Sequence, residues 1–156
     1  YEISQPDENT LLLKSETNKE WQDYIGENAP LSYRTISLQI PQTGLQSLRL
    51  QTSNEDLILP ELQVSQGVEL EVNNGNISFG LLDVGESIQV TAKNGDVAGM
   101  IQGGYDDFAI SCSVKKGDCN LPEKKEAGDK SFALSLNNGD ANVTFSKAAS
   151  TASITE

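Results

Sequence analysis

Val68-Glu69-Leu70-Glu71-Val72-Asn73-Asn74-Gly75-Asn76-Ile77-Ser78-Phe79 is the stretch on which the fold turns. Val68, Leu70 and Val72 alternate with polar residues before the turn, and Ile77 and Phe79 do so after it. A period of two places such residues on one face of an extended chain. Between the runs stands Asn74-Gly75, a pair suited to a type I′ turn because Gly accepts positive φ freely and Asn tolerates it. The unit recurs at Asn94-Gly95-Asp96, Lys116-Gly117-Asp118 and Asn138-Gly139-Asp140, with the turn glycines separated by 20, 22 and 22 residues. Another 20 residues towards the N-terminus lies Asn54-Glu55-Asp56, a degenerate copy.

The flanking runs repeat as well. Ile88, Val90 and Val97 belong to the third copy, Phe108, Ile110, Cys112, Val114, Cys119 and Leu121 to the fourth, and Phe132, Leu134, Leu136, Ala141, Val143 and Phe145 to the fifth. Strand, turn, strand admits two architectures, an antiparallel meander of hairpins or a solenoid in which successive copies stack in parallel. Near-constant spacing favours the solenoid, because stacked rungs must each close the same perimeter whereas hairpins need not match in length.

Composition narrows function. The chain of 156 residues carries 11 Lys and Arg against 23 Asp and Glu, a formal charge of −12, and has no His. With only Arg34 and Arg49 as guanidinium donors, it is poorly equipped to bind nucleic acid or an anionic bilayer. Absence of His removes the Ser-His-Asp triad, the His-assisted Cys nucleophile and imidazole metal ligands. No run approaches the length of a membrane span, and a start at Tyr1 suggests a leader or anchor removed upstream.

Leu11-Leu12-Leu13-Lys14-Ser15, Trp21, Ile36-Ser37-Leu38-Gln39-Ile40-Pro41 and the repeated turns follow one another in a distinctive order. Tyr105-Asp106-Asp107-Phe108-Ala109-Ile110, Lys116-Gly117-Asp118-Cys119-Asn120-Leu121-Pro122 and the closing Asn138-Gly139-Asp140-Ala141-Asn142-Val143-Thr144-Phe145 extend it. Over residues 10–146 the chain resembles a bacterial family named for an adhesin role and of unknown biochemical function. The resemblance implies a single-stranded right-handed β-helix at the cell envelope, beside a leader, an anchor or a small partner domain. Asn54-Glu55-Asp56, which lacks Gly, and Lys116, which replaces Asn, depart from the pattern and imply a looser turn at those two places.

The expected organisation is a loose polar tail over 1–9, an all-β solenoid of about five to seven rungs over 10–146, and a disordered Ser/Ala/Thr-rich tail over 147–156. Residues 11–13 and 36–40 would form the first rungs. The 14–34 segment would make an excursion with one helical turn at 19–25, and Trp21 would cover the open end of the coil. Pro122 to Lys130 reads as a charged loop. Core positions filled by Leu, Ile, Val and Phe would give an elongated rod.

Several residues invite a chemical reading. Stacking brings Asn76, Asp96, Asp118 and Asp140 to one edge, where Ca²⁺ could bind; residues favoured beside tight turns explain them more plainly, and no metal or other cofactor is expected. Asn74, Gly75, Asn94, Gly95, Gly117, Asp118, Asn138, Gly139 and Asp140 are therefore read as structural turn residues. Cys112 and Cys119 flank the fourth turn on one face, where a disulfide suits an oxidising envelope and two buried thiols suit the spacing equally. Asp106-Asp107 would be the pair for glycoside hydrolysis, but neighbours on a strand face opposite ways and cannot flank one bond. Asn76-Ile77-Ser78 and Asn142-Val143-Thr144 match a glycosylation pattern that a bacterial setting makes coincidental. The expectation is a non-enzymatic, extracytoplasmic module presenting a rigid face to a protein or glycan partner, with no catalytic residues. A regulatory domain binding a membrane protein is the variant, and a polysaccharide-active β-helix enzyme the competing class.

Overall fold

The computed structural model describes residues 2–7, 10–14, 39–40 and 44–146, and the chain divides into two units, Tyr1–Gln39 and Ile40–Glu156. In the first unit β1 (Glu2–Asp7) and β2 (Thr10–Lys14) pair antiparallel, with Ile3 opposite Leu13 and Asp7 opposite Thr10. This corrects two expectations. Residues 2–7 are a strand and not a loose tail, and residues 11–13 pair with β1 in a two-stranded sheet of their own and not as a solenoid rung. Trp21, the 19–25 turn, residues 36–38 and the 147–156 tail lie outside the described residues.

The second unit is a β-solenoid of about five turns with roughly 20-residue spacing. Its strands are β3 (Leu45–Thr52), β4 (Leu57–Leu59), β5 (Leu62–Asn74), β6 (Ile77–Val84), β7 (Ser87–Asn94), β8 (Val97–Gln102), β9 (Phe108–Lys116), β10 (Lys124–Lys125), β11 (Lys130–Asn138) and β12 (Ala141–Ser146). Except for β10, neighbouring strands in this ten-stranded sheet run parallel. The meander is thereby excluded, and the Asn-Gly turns are corners of a coil.

Each complete coil has a third side that the strand-turn-strand reading missed. After Leu59, Phe79 and Gly99 the chain bends again, and Leu62 and Val64 stack on Leu82 and Val84, with Ile101 above Leu82. The interior is built of columns: Leu48, Val68, Ile88, Phe132 and Ile110 form one, and Leu50, Leu70, Val90, Leu134 and Cys112 another. Leu57, Ile77, Val97, Ala141 and Cys119 form a column across the corner. No polar or charged residue is buried among the described residues. Burial of these aliphatic columns, at about 25 cal/mol per Å² of apolar surface, is the main force holding coil on coil.

The columns also reveal the order of the coils. β11 pairs with β7 on one side and β9 on the other, so the fifth copy lies between the third and the fourth. Successive stacking therefore fails at the C-terminal end, where the spatial order is first, second, third, fifth, fourth. Only Gly85 and Glu86 link β6 to β7, whereas Gly103 to Asp107, including a 3₁₀ turn at Tyr105–Asp107, links β8 to β9. The longer connection spans two layers, about 9.6 Å in place of 4.8 Å. From β9 the chain turns back, and β10 pairs antiparallel with Ile110 and Ser111, covering part of the outer edge within what reads in sequence as a plain loop.

Five layers make a squat unit and not a rod. Four steps of about 4.8 Å give roughly 19 Å of height, against sides of about 22 Å for a three-sided coil of 20 residues.

Candidate functional site

The feature singled out by the sequence is the corner after each long strand, and the structure stacks these corners into two polar columns. In the first, Asn74 Nδ2 donates to Asn54 Oδ1 at 3.0 Å, Asn94 Nδ2 to Asn74 Oδ1 at 2.7 Å, and Asn138 Nδ2 to Asn94 Oδ1 at 2.6 Å. An amide can donate and accept at once, so Asn continues such a column where an ionised Asp, which only accepts, cannot. In the second, the backbone N–H groups of Asn76, Asp96, Asp140 and Asp118 donate in turn to the Oδ1 atoms of Asp56, Asn76, Asp96 and Asp140, at 2.7–2.9 Å. These oxygens bind neighbouring coils, and no group of three potential ligands for a metal ion occurs among the described residues.

Glycine is required at the corner for two reasons. Gly75, Gly95, Gly117 and Gly139 have φ of +149°, +139°, +132° and +138°, and a Cβ on Gly95, Gly139 or Gly117 would strike the carbonyl oxygen of Gly75, Gly95 or Gly139 respectively. The Asn residues do not share this conformation, since no non-glycine residue among those described has positive φ. The type I′ expectation is thus corrected: Asn74, Asn94 and Asn138 end extended strands, and Gly alone makes the bend. The two departures from the motif fall at the two ends of the stack. The crowding always points towards the first coil, where the Glu55 carbonyl stands against Gly75 and Glu55 itself has no positive φ that would call for Gly. Lys116 lies in the last layer, where the amide column stops, and Gly117 keeps the same bend as the other corner glycines.

Cys112 and Cys119 are joined by a disulfide. They occupy the layer positions held by Leu134 and Ala141 in the coil beneath, so the bridge ties two sides of the outermost coil across its corner. Beyond it, Asn120 completes the edge of β12 with its side chain: Nδ2 donates to the Val143 carbonyl at 2.7 Å, and Oδ1 accepts from Val143 N at 2.9 Å.

Asp106 and Asp107 belong to the 3₁₀ turn and not to a strand, and Asp107 Oδ2 accepts from Gly104 N at 2.7 Å, holding that turn closed. Lys125 secures the return segment. Its Nζ donates to the carbonyls of Phe108 at 2.8 Å and Ala127 at 2.7 Å, and lies 4.9 Å from the centre of the Tyr105 ring.

The outward side of the long strands is a sheet of mostly polar side chains in register, short towards the outer coils and long and charged towards the first. Gln89, Ala133 and Ser111 make one row and Thr91, Ser135 and Ser113 another, continuing towards the first coil as Glu69 and Arg49, and as Glu71 and Gln51. Beside it an open groove of about 380 Å³ is lined by Ala109, Ser111, Lys124, Lys125, Ser131 and Ala133, among others. Sequence reasoning placed no binding residues here. The inward half of the alternation identifies the core, and the outward half identifies this surface only once the coil order is known.

No helix among the described residues is long and apolar enough to cross a membrane. No curated protein and no solved structure matches the chain. The model of a family described as Toastrack DUF4097 matches residues 14–155, nearly the whole length. Together with the stacked coils, this establishes that the chain belongs to the Toastrack DUF4097 family, whose domains have no assigned function.

Proposed function

We propose that the chain is a non-catalytic, extracytoplasmic module that presents the outward sheet of its solenoid as a rigid face to a protein or glycan partner. One observation carries the reading. The polar side chains that could do chemistry at the corners are committed to bonds between coils, while the long-strand face offers registered rows of short polar groups. A backbone held in parallel register on both sides of β5, β7 and β11 loses little conformational entropy on binding, which favours a recognition surface. The disulfide fits an oxidising compartment.

Crosslinking in intact cells followed by recovery of the module tests this. A specific envelope protein or surface glycan, lost when Gln89 and Ser111 are replaced together by Glu, supports the proposal; recovery unaffected by that replacement removes the face from consideration. Turnover on a panel of envelope and plant glycans, abolished by replacing a single acidic residue, would overturn the non-catalytic reading.

A further inference from the structure

We infer that Asn138 is a site of spontaneous deamidation, held in check by the stack and released from its outer end. Asn-Gly is the dipeptide most prone to this reaction because glycine offers no side chain to block attack by its own nitrogen. The Gly139 nitrogen would attack Cγ of Asn138, losing its proton as the bond to Nδ2 breaks and ammonia leaves. Water then opens the succinimide at either carbonyl to give aspartate or isoaspartate.

Three Asn-Gly pairs share this chemistry, and the stack protects them unequally. In each, the asparagine ends an extended strand and the glycine N–H is engaged: Gly75 N donates to the Asn94 carbonyl at 2.9 Å, Gly95 N to that of Asn138 at 3.0 Å, and Gly139 N to that of Lys116 at 2.9 Å. Attack requires the corner to open locally. Asn94 must then give up two amide bonds, one to Asn74 and one from Asn138, and Asn74 likewise gives up one to Asn54 and one from Asn94. Asn138 gives up only the bond to Asn94, because its own oxygen receives no hydrogen bond among the described residues. The nitrogen of Gly139 is covered only by the outermost coil. Two independent features of the fold thus converge on the same pair.

The product is also tolerated best at this place. Asn138 lies in register with Lys116, so a carboxylate formed there has a lysine as its neighbour in the next layer. A carboxylate at any of the three positions would face the amide oxygen that had been accepting its hydrogen bond, but at 74 or 94 it would also replace an oxygen that receives one and would have no lysine in register. Conversion of Asn138 therefore adds a negative charge at the outer end of the stack while leaving the inner column intact.

The test uses the full chain, aged in mildly alkaline buffer, with peptide mapping that separates aspartate from isoaspartate. In the folded protein Asn138 should convert roughly fivefold or more ahead of Asn94 and Asn74, the factor given by about one net hydrogen bond. In urea the three rates should draw together. Reducing the Cys112–Cys119 bridge should speed conversion at Asn138 and leave Asn74 unchanged. Equal folded rates at Asn94 and Asn138, or a folded order identical to the unfolded one, would overturn the inference.

Discussion

Asn94 and Asn138 are 44 residues apart in the chain yet adjacent in the amide column. Replacing Asn94 with Ala removes two side-chain hydrogen bonds, at 2.7 Å to Asn74 and 2.6 Å from Asn138. At about 0.5–1.5 kcal/mol for each net bond, Asn94→Ala should cost roughly 1–3 kcal/mol and Asn138→Ala, which loses one bond, roughly 0.5–1.5 kcal/mol. The double variant loses the shared bond once and not twice, so its cost should fall short of the sum by about 0.5–1.5 kcal/mol. Urea unfolding followed by far-ultraviolet circular dichroism supplies the four stabilities. Were the coils stacked in chain order, Asn94 would lie against Lys116 and about 9.6 Å from Asn138. The two costs would then add to within about 0.5 kcal/mol, and that result would refute the interleaved arrangement.

Leu70→Ala should destabilise the protein by about 2–5 kcal/mol in the same assay, since Leu70 is fully buried between Leu50 and Val90 and its loss leaves a cavity; a negligible loss would mean that the inward face is wrongly assigned. Asp96→Asn should change stability by less than about 0.5 kcal/mol because Asn76 performs the same task with an amide oxygen, whereas Asp96→Ala should cost about 1 kcal/mol. If Asn and Ala prove equally costly, the carboxylate charge matters and a bound cation regains interest. Replacing Cys112 and Cys119 together with Ser should cost about 2–3 kcal/mol, the loop-closure value for so short a ring, and thermal melting with and without reductant should show the same shift in the native chain. Melting unmoved by reductant would show that the bridge does not restrain the unfolded chain.

Alternation around the Asn-Gly corners was enough to identify Val68, Leu70, Val72, Ile77, Phe79, Ile88, Val90, Val97, Phe132, Leu134, Leu136, Ala141 and Val143 as inward, and all of them are buried. The third side of the coil escaped because its contributions are short: Leu62 and Val64 precede Ser65-Gln66, and Ile101 precedes Gly103, without a turn signal of the Asn-Gly kind. Interleaving escaped because periodicity reports how long a coil is and nothing about which coil it touches. A signal was nevertheless present. An amide column propagates only through Asn, and Lys116 would have interrupted it in a stack built in chain order, so the one copy without Asn belongs at an end. The β1–β2 pair was obscured by Pro6 and by polar residues at Ser4 and Gln5, which read as tail when a hairpin partner is not considered. For function the sequence narrowed the classes of chemistry but could not locate a binding face, because neighbours in its rows of Ser, Thr, Gln and Ala come from residues as far as 44 positions apart and carry no local motif.

Most repeat architectures can be lengthened or cut back one unit at a time at their C-terminal end, since each new layer rests on the last. Here the coil synthesised last is a keystone. As the chain leaves the ribosome, the 108–121 coil emerges before the layer that must support it, and its final place stays open until residues 130–146 slot in beneath it. A sixth copy after Phe145 would set out from an interior layer and not from the end of the stack, and ending the chain before Lys130 would remove an interior course, not a terminal one. At this end the order of layers in space is therefore not the order in which the chain lays them down.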